Sequence, residues 1–295
     1  MQKISPICSN TVVGSDSHEW VPRNFEDFLK ELDHVVKSCR GGNPLFRGHA
    51  DSRWLLESSF VRTCKKLLFD IEPHIRPSKE IRGSSGYHRA LFRLLLLKYD
   101  VLVKPSVELR NLENKGIDSM FELMKRFQQY PQEDKTTLKG TSFLDWSQNQ
   151  NVGLFFANFN ANEHCVKDRQ ADGALFICDK AATGKTLQTI KVDRIIELMN
   201  EKDNDADNYE GFGCPLLFYP EVQKLCQRTN NQDAIYWAQM DLRYDLEYMW
   251  KLQEKNSNKT DYIFIKLVLP YESRDECAKY LIAQGITHSN LFVKN

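Results

Sequence analysis

Five short apolar runs crowd the second half of the chain and fix what it can fold into. They are residues 141–146 (TSFLDW), 172–180 (DGALFICDK), 213–220 (GCPLLFYP), 233–240 (DAIYWAQM) and 262–270 (YIFIKLVLP). Runs of this length, rich in aromatic and branched residues and bounded by glycine, proline or polar residues, predict strands. A sixth, shorter run, residues 44–48 (PLFRG), lies far upstream. Helical spacing dominates elsewhere. Phe25, Phe28, Leu29, Leu32, Val35 and Val36 repeat at a helical period behind Asn24, a residue suited to an N-cap. Residues 55–69 read as extended and then helical. Residues 84–104 read as a buried helix, and residues 116–130 as an amphipathic one on Met120, Phe121, Leu123, Met124 and Phe127. Residues 151–161 and 273–285 read as further helices, the second closed by Gly285. The pattern predicts one α+β domain over residues 21–295, with helices mostly before the strands. Residues 1–20 read as a flexible leader and residues 198–213 as an acidic loop.

Several functions are disfavoured by composition. Lys plus Arg and Asp plus Glu number 40 each, so no net field captures nucleic acid or an anionic membrane. The most apolar run, residues 90–103, is broken by Arg93, Lys98 and Asp100 and is no membrane span. The first ten residues lack the apolar stretch of a secretory signal. Eight cysteines are scattered without a C-x-x-C pair. That predicts reduced thiols in a cytoplasmic protein, with neither a zinc site nor a disulfide framework. No H-x-x-x-H pair suggests a metal. Residues 182–186 (ATGKT) imitate the end of a phosphate loop but lack its earlier glycine. Asp203, Asp205 and Asp207 lack the glycine and glutamate of a calcium loop.

Three polar residues interrupt strand ends: Arg47, Ser142 and Gln232. A buried polar group costs free energy unless it is satisfied. Each alone reads as an ordinary satisfied hydrogen bond. Together they predict the floor of one site. Gly48, directly after Arg47, would let the backbone approach a ligand closely.

The run LFRGHADSRWLLESSFVR resembles the opening signature of the FRG domain family through Phe46, Arg47, Gly48, His49, Trp54, Leu56, Ser59, Phe60 and Arg62. The run TSFLDWSQNQNVGLFFA is similar to the family's second block through Thr141, Leu144, Asp145, Trp146, Phe155, Phe156 and Ala157. Residues 228–237 resemble its Arg-x-x-x-Gln-x-Gly-x-Phe segment, with Ala234 where the family has glycine. The likeness covers roughly residues 25 to 292. It departs at Tyr130, which is followed by a polar loop over residues 131–140.

The family's layout in turn resembles ADP-ribosyltransferases of the Arg-Ser-Glu type. In those enzymes an aromatic-Arg-Gly lies on the first strand, Ser/Thr-Ser on a middle strand and an acid or amide on a late one. The resemblance implies a mixed-sheet core of that fold, NAD as substrate and a macromolecular acceptor, protein or nucleic acid. It also implies a toxin or defence role under an inhibitory partner protein. Arg47, Ser142 and Gln232 would be catalytic. Arg47, Gly48, Trp54, Arg62, Tyr130, Thr141, Ser142 and Asp145 would hold NAD. Asp233 is the alternative third residue, because Gln232 carries no charge. A second class remains open, a nucleotide- or partner-binding module that has lost the chemistry.

Overall fold

The computed structural model describes residues 1, 3–83, 86–87, 90–91, 93–95, 97–98, 136–158, 171–183, 216–218, 227–239, 242–256 and 261–292. The strands are β1 (Val12–Val13), β2 (Glu19–Val21), β3 (Leu45–His49), β4 (Phe143–Ser147), β5 (Gly173–Cys178), β6 (Leu216–Phe218), β7 (Ala234–Ala238) and β8 (Phe264–Leu269). Helices α1 (Phe25–Ser38), α2 (Ser59–Phe69), α3 (Lys79–Gly83), α4 (Gln150–Asn158), α5 (Gln227–Asn231), α6 (Leu246–Asn256), α7 (Arg274–Ala283) and α8 (His288–Leu291), with short 3-10 turns at Arg40–Gly42 and Tyr271–Ser273, complete the described elements. The fold class is α+β, as the runs predict.

The strands form one sheet in the order β1-β2-β8-β5-β3-β4-β7-β6. Only β2 and β8 pair in parallel, so the sheet is mixed. Alternation along the central strands divides the core. Leu175 and Ile177 face one cluster with Phe28, Leu32, Val35, Leu154 and Phe155 from α1 and α4. Ala174 and Phe176 face the other, with Leu144, Trp146, Trp237 and Trp250. Each of these fully buried large side chains contributes about 1.5–3 kcal/mol.

Helix α1 forms where its spacing predicts. Asn24 Oδ1 accepts from the Asp27 N–H at 2.8 Å, and Phe25, Phe28, Leu32 and Val35 are buried. Two expectations need correction. Residues 1–20 are no loose leader: they supply β1 and β2, and Trp20 is fully buried. Two- and three-residue strands are too short to show a period. Helix α6 lies between β7 and β8, so helices do not simply precede the strands. Its sequence is largely polar, yet Trp250 packs edge-on against Trp146 and Trp237 at 5.7 and 5.8 Å. The helix expected over residues 116–130, Tyr130 and the acidic loop over residues 198–213 lie outside the described residues.

The sheet has a weak seam. Strands β3 and β4 share one registered pair, Phe46 with Ser147, whereas β3 meets β5 over five pairs and β4 meets β7 over five. The two halves part beyond that pair, and the polar residues collect there.

Candidate functional site

Arg47 sits at the seam. Its Nη1 donates to the backbone oxygen of Asp145 on β4, and its Nε donates to His49 Nε2 at 3.1 Å. His49 must therefore carry its hydrogen on Nδ1. Burial, then the charges of Arg47 and Arg62, hold the imidazole well below its ordinary range, and it stays neutral. Burial also pushes Arg47 down to about 10; Asp145 opposes that shift and Arg62 adds to it. Arg62, on α2, is lowered by burial against the pull of Glu57, and its Nη1 donates to the Glu57 backbone oxygen at 2.7 Å. Among the described residues neither arginine has a carboxylate within ion-pair distance. Two partly buried cations within electrostatic reach of each other form a place for an anion.

Gly48 has a different role from the one its position suggests. A Cβ there would come within 2.1 Å of the Gly153 oxygen and 2.2 Å of the Ala157 nitrogen. The missing side chain lets α4 lie directly on β3, although Gly48 also borders the cavity beside Arg47.

That cavity, about 410 Å³, is bordered by Arg47, Asp145, Ser147, Arg228, Gln232 and the rings of Phe156 and Phe292. Ser147 Oγ donates to the Gln232 backbone oxygen at 2.7 Å and accepts from the Asn149 N–H at 2.9 Å. Gln232 Nε2 donates to the Leu291 oxygen at 3.2 Å, tying the residue to α8. The Arg228 guanidinium lies over the Phe292 ring, 4.6 Å from its centroid. Arg47 and Gln232 are thus brought together as the sequence predicts.

Ser142 is not brought to them. The β4–β7 ladder runs from Phe143 paired with Ala238 to Ser147 paired with Ala234. Ser142 lies just beyond the first pair and Gln232 just beyond the last, at opposite ends. The Ser142 oxygen accepts from the Gln239 N–H at 2.9 Å, and Ser142 is 4% exposed. Thr141 is equally remote: its oxygen accepts from the Phe60 N–H at 3.3 Å, at the start of α2. The serine that meets Arg47 and Gln232 is Ser147, at the strand end that feeds α4. The sequence holds a signal for it, since Ser147 lies at an odd spacing from Ser142 and so on the other face of an alternating strand. Asp233 is exposed in the turn before β7, with φ of 43°, and does not border the cavity.

Trp54 and Arg62 line a second, larger cavity of about 960 Å³, with Asp51, Arg53, Lys66 and His74. Arg53 is paired with Asp51, and Lys66 with Asp70 and Glu72. The Trp54 ring stands 6.2 Å from His49. Arg47 borders the small cavity and Arg62 the large one.

No family model, no curated protein and no solved structure matches this chain. Among the described residues, no helix is long and apolar enough to cross a membrane.

Proposed function

We propose that the chain is an FRG-like ADP-ribosyltransferase that moves ADP-ribose from NAD to a macromolecular acceptor. One observation carries this reading: Arg47, Ser147 and Gln232, from three neighbouring strands or their ends, border a single cavity. The order of those strands supports it too. The aromatic-Arg-Gly strand β3 adjoins β4, and β4 adjoins the late strand β7. The serine of the triad is Ser147 rather than Ser142.

In this reading Arg47 and Arg62 grip the pyrophosphate, whose negative charge relieves their mutual repulsion. Trp54 offers a flat face to the adenine in the larger cavity. Ser147 and Gln232 hold the nicotinamide ribose at the small one. The C1′–N bond then breaks in a fixed geometry, where positioning and electrostatics lower the barrier. Nicotinamide release, measured with and without cell lysate beside NAD titration calorimetry, tests the reading. Release that requires lysate is the expected result. Release without lysate would make the protein a glycohydrolase, and absence of NAD binding would end the proposal.

A second reading, a nucleotide-binding module without chemistry, is favoured by the amide at Gln232, which cannot oppose positive charge on the ribose. Binding of NAD with no release under either condition would select it.

A further inference from the structure

In the turn between β1 and β2 a histidine is gripped by two carboxylates. His18 Nδ1 lies 2.6 Å from Asp16 Oδ1, and His18 Nε2 lies 2.6 Å from Glu254 Oε2 on α6. Only the imidazolium fits that pairing. It donates at both nitrogens, whereas a neutral ring keeps one lone pair that would point at a carboxylate oxygen. His18 is 7% exposed, stacked on Phe264 at 4.8 Å and tilted against Tyr262 at 4.5 Å. Its other charged neighbours are engaged among themselves. Lys251 on α6 pairs with Asp16 and lies 3.8 Å from Glu247, Lys266 on β8 pairs with Glu19 at 2.7 Å, and Lys3 lies over the Tyr262 ring. Burial, then the charge of Asp245, push Glu247 up to about 7 against the pull of Lys266, Lys251 and Arg76. Burial also works against a charged His18, yet the hydrogen bonds and charges of Glu254 and Asp16 outweigh it and hold the ring above its ordinary 6.5.

We propose that residues 14–19 form a pH-sensitive latch: the His18 imidazolium ties the turn to α6, and loss of its proton releases the turn. One half of the latch is fixed. Glu254 Oε1 also accepts from the Ile263 N–H, so that carboxylate stays in place when the ring turns neutral. Trp20 is fully buried in the cluster with Phe28 and Leu267, an apolar contact that seats β2 at any pH. The other half moves. The turn is closed by the Gly14 N–H donating to the Glu19 oxygen at 2.8 Å, the Glu19 N–H to the Asp16 oxygen at 2.9 Å and the His18 N–H to Asp16 Oδ1 at 2.9 Å. The folded ring holds its proton more tightly than the ordinary 6.5. The stabilisation is therefore complete below about pH 6.5 and is lost as pH rises through the folded value. The latch does not depend on the NAD reading.

The test follows wild type, H18R and E254Q by NMR from pH 5 to 9. The His18 ring shifts give its titration midpoint. Amide exchange at Gly14 and Glu19, corrected for the intrinsic rate at each pH, gives the opening of the turn, with the amides of β5 as the control. In wild type the midpoint should lie above 6.5. Protection of the two turn amides should fall above that midpoint by up to about tenfold per pH unit, the limit for one proton, while β5 stays constant. H18R keeps a planar cation at every pH, so its protection should stay flat. E254Q removes one of the two acceptor charges, so the midpoint and the fall should both move to lower pH. Flat protection in wild type, or a ring midpoint at or below 6.5, overturns the latch. An equal fall in folded H18R also overturns it and hands the effect to Glu247. Should H18R not fold, E254Q decides alone, and a fall that does not move overturns the latch.

Discussion

The two ends of the β4–β7 ladder each hold a serine and a glutamine, and they serve opposite purposes. At one end Ser142 meets Gln239. The Gln239 N–H donates to the Ser142 oxygen, Gln239 Oε1 accepts from the Ser58 N–H, and Gln239 Nε2 donates to the Tyr244 oxygen, the last two both at 2.8 Å. Gln239 is 2% exposed, and its amide joins the start of α2 to the loop before α6. At the other end Ser147 meets Gln232 beside a cavity that also holds Arg47 and Asp145. The same residue types make a closed structural joint at one end and an open, charged cavity at the other. The closed joint satisfies backbone groups that would otherwise be buried alone. At the open end β3 keeps its one registered pair with β4, Phe46 with Ser147.

Breaking the closed joint should produce the largest effect. Gln239→Leu strands the Ser58 N–H and the Tyr244 oxygen, and each unsatisfied group costs about 1–3 kcal/mol. Denaturant unfolding should show a loss of about 2–6 kcal/mol, while NAD affinity in the folded protein stays unchanged. A loss of NAD binding without loss of stability would reverse the assignment of the two ends.

Arg47→Ala tests the open end. NAD affinity should fall by about 1.5–3 kcal/mol for each charge-assisted bond lost, with the fold intact. Calorimetry on the folded variant checks this, and unchanged affinity would remove Arg47 from the site. The serine pair sharpens the contrast further. Ser147→Ala should slow nicotinamide release by about tenfold, the rate equivalent of one neutral hydrogen bond. Ser142→Ala should not change it. The opposite ranking would return Ser142 to the site.

The smallest effect separates the ends by pH. Ser142 and Gln239 carry no titrating group, whereas His49 on the seam is held neutral by burial and neighbouring cations. Its folded value lies below the ordinary 6.5, so below that pH the unfolded chain takes up a proton that the folded one refuses. Stability is full above about pH 6.5 and should fall as pH drops, by at most about 1.4 kcal/mol per pH unit. His49→Gln should flatten that slope in urea midpoints measured across acid pH. An equal slope in both proteins would mean that other groups carry it.

Much of the fold was legible from local pattern. Asn24 and the apolar stripe of α1 announce themselves within a few residues, and β5 and β8 are buried runs whose length alone names them strands. The short β1 and β2 left no period to read, and the polar sequence of α6 hid a helix anchored by Trp250. At the site, Arg47 and Gln232 were legible as polar breaks at strand ends. Gly48 was legible as a residue that must be small, but its neighbour is the backbone of α4 rather than a ligand.

The sequence by itself determined the elements and the polar residues at their ends, because helical and strand periods are local properties of the chain. It also carried both serines and both glutamines without ranking them. Only the tertiary structure chose between the pairs. Antiparallel register sets which residue of β7 lies across from which residue of β4, and a shift of one position turns every side chain to the other face. The parting of β3 from β4 was likewise settled by packing, since α4 must seat on Gly48 while Arg47 finds its acceptors on His49 and the Asp145 backbone. Those contacts join residues far apart in the chain, so no local pattern encodes which end of the ladder stays open.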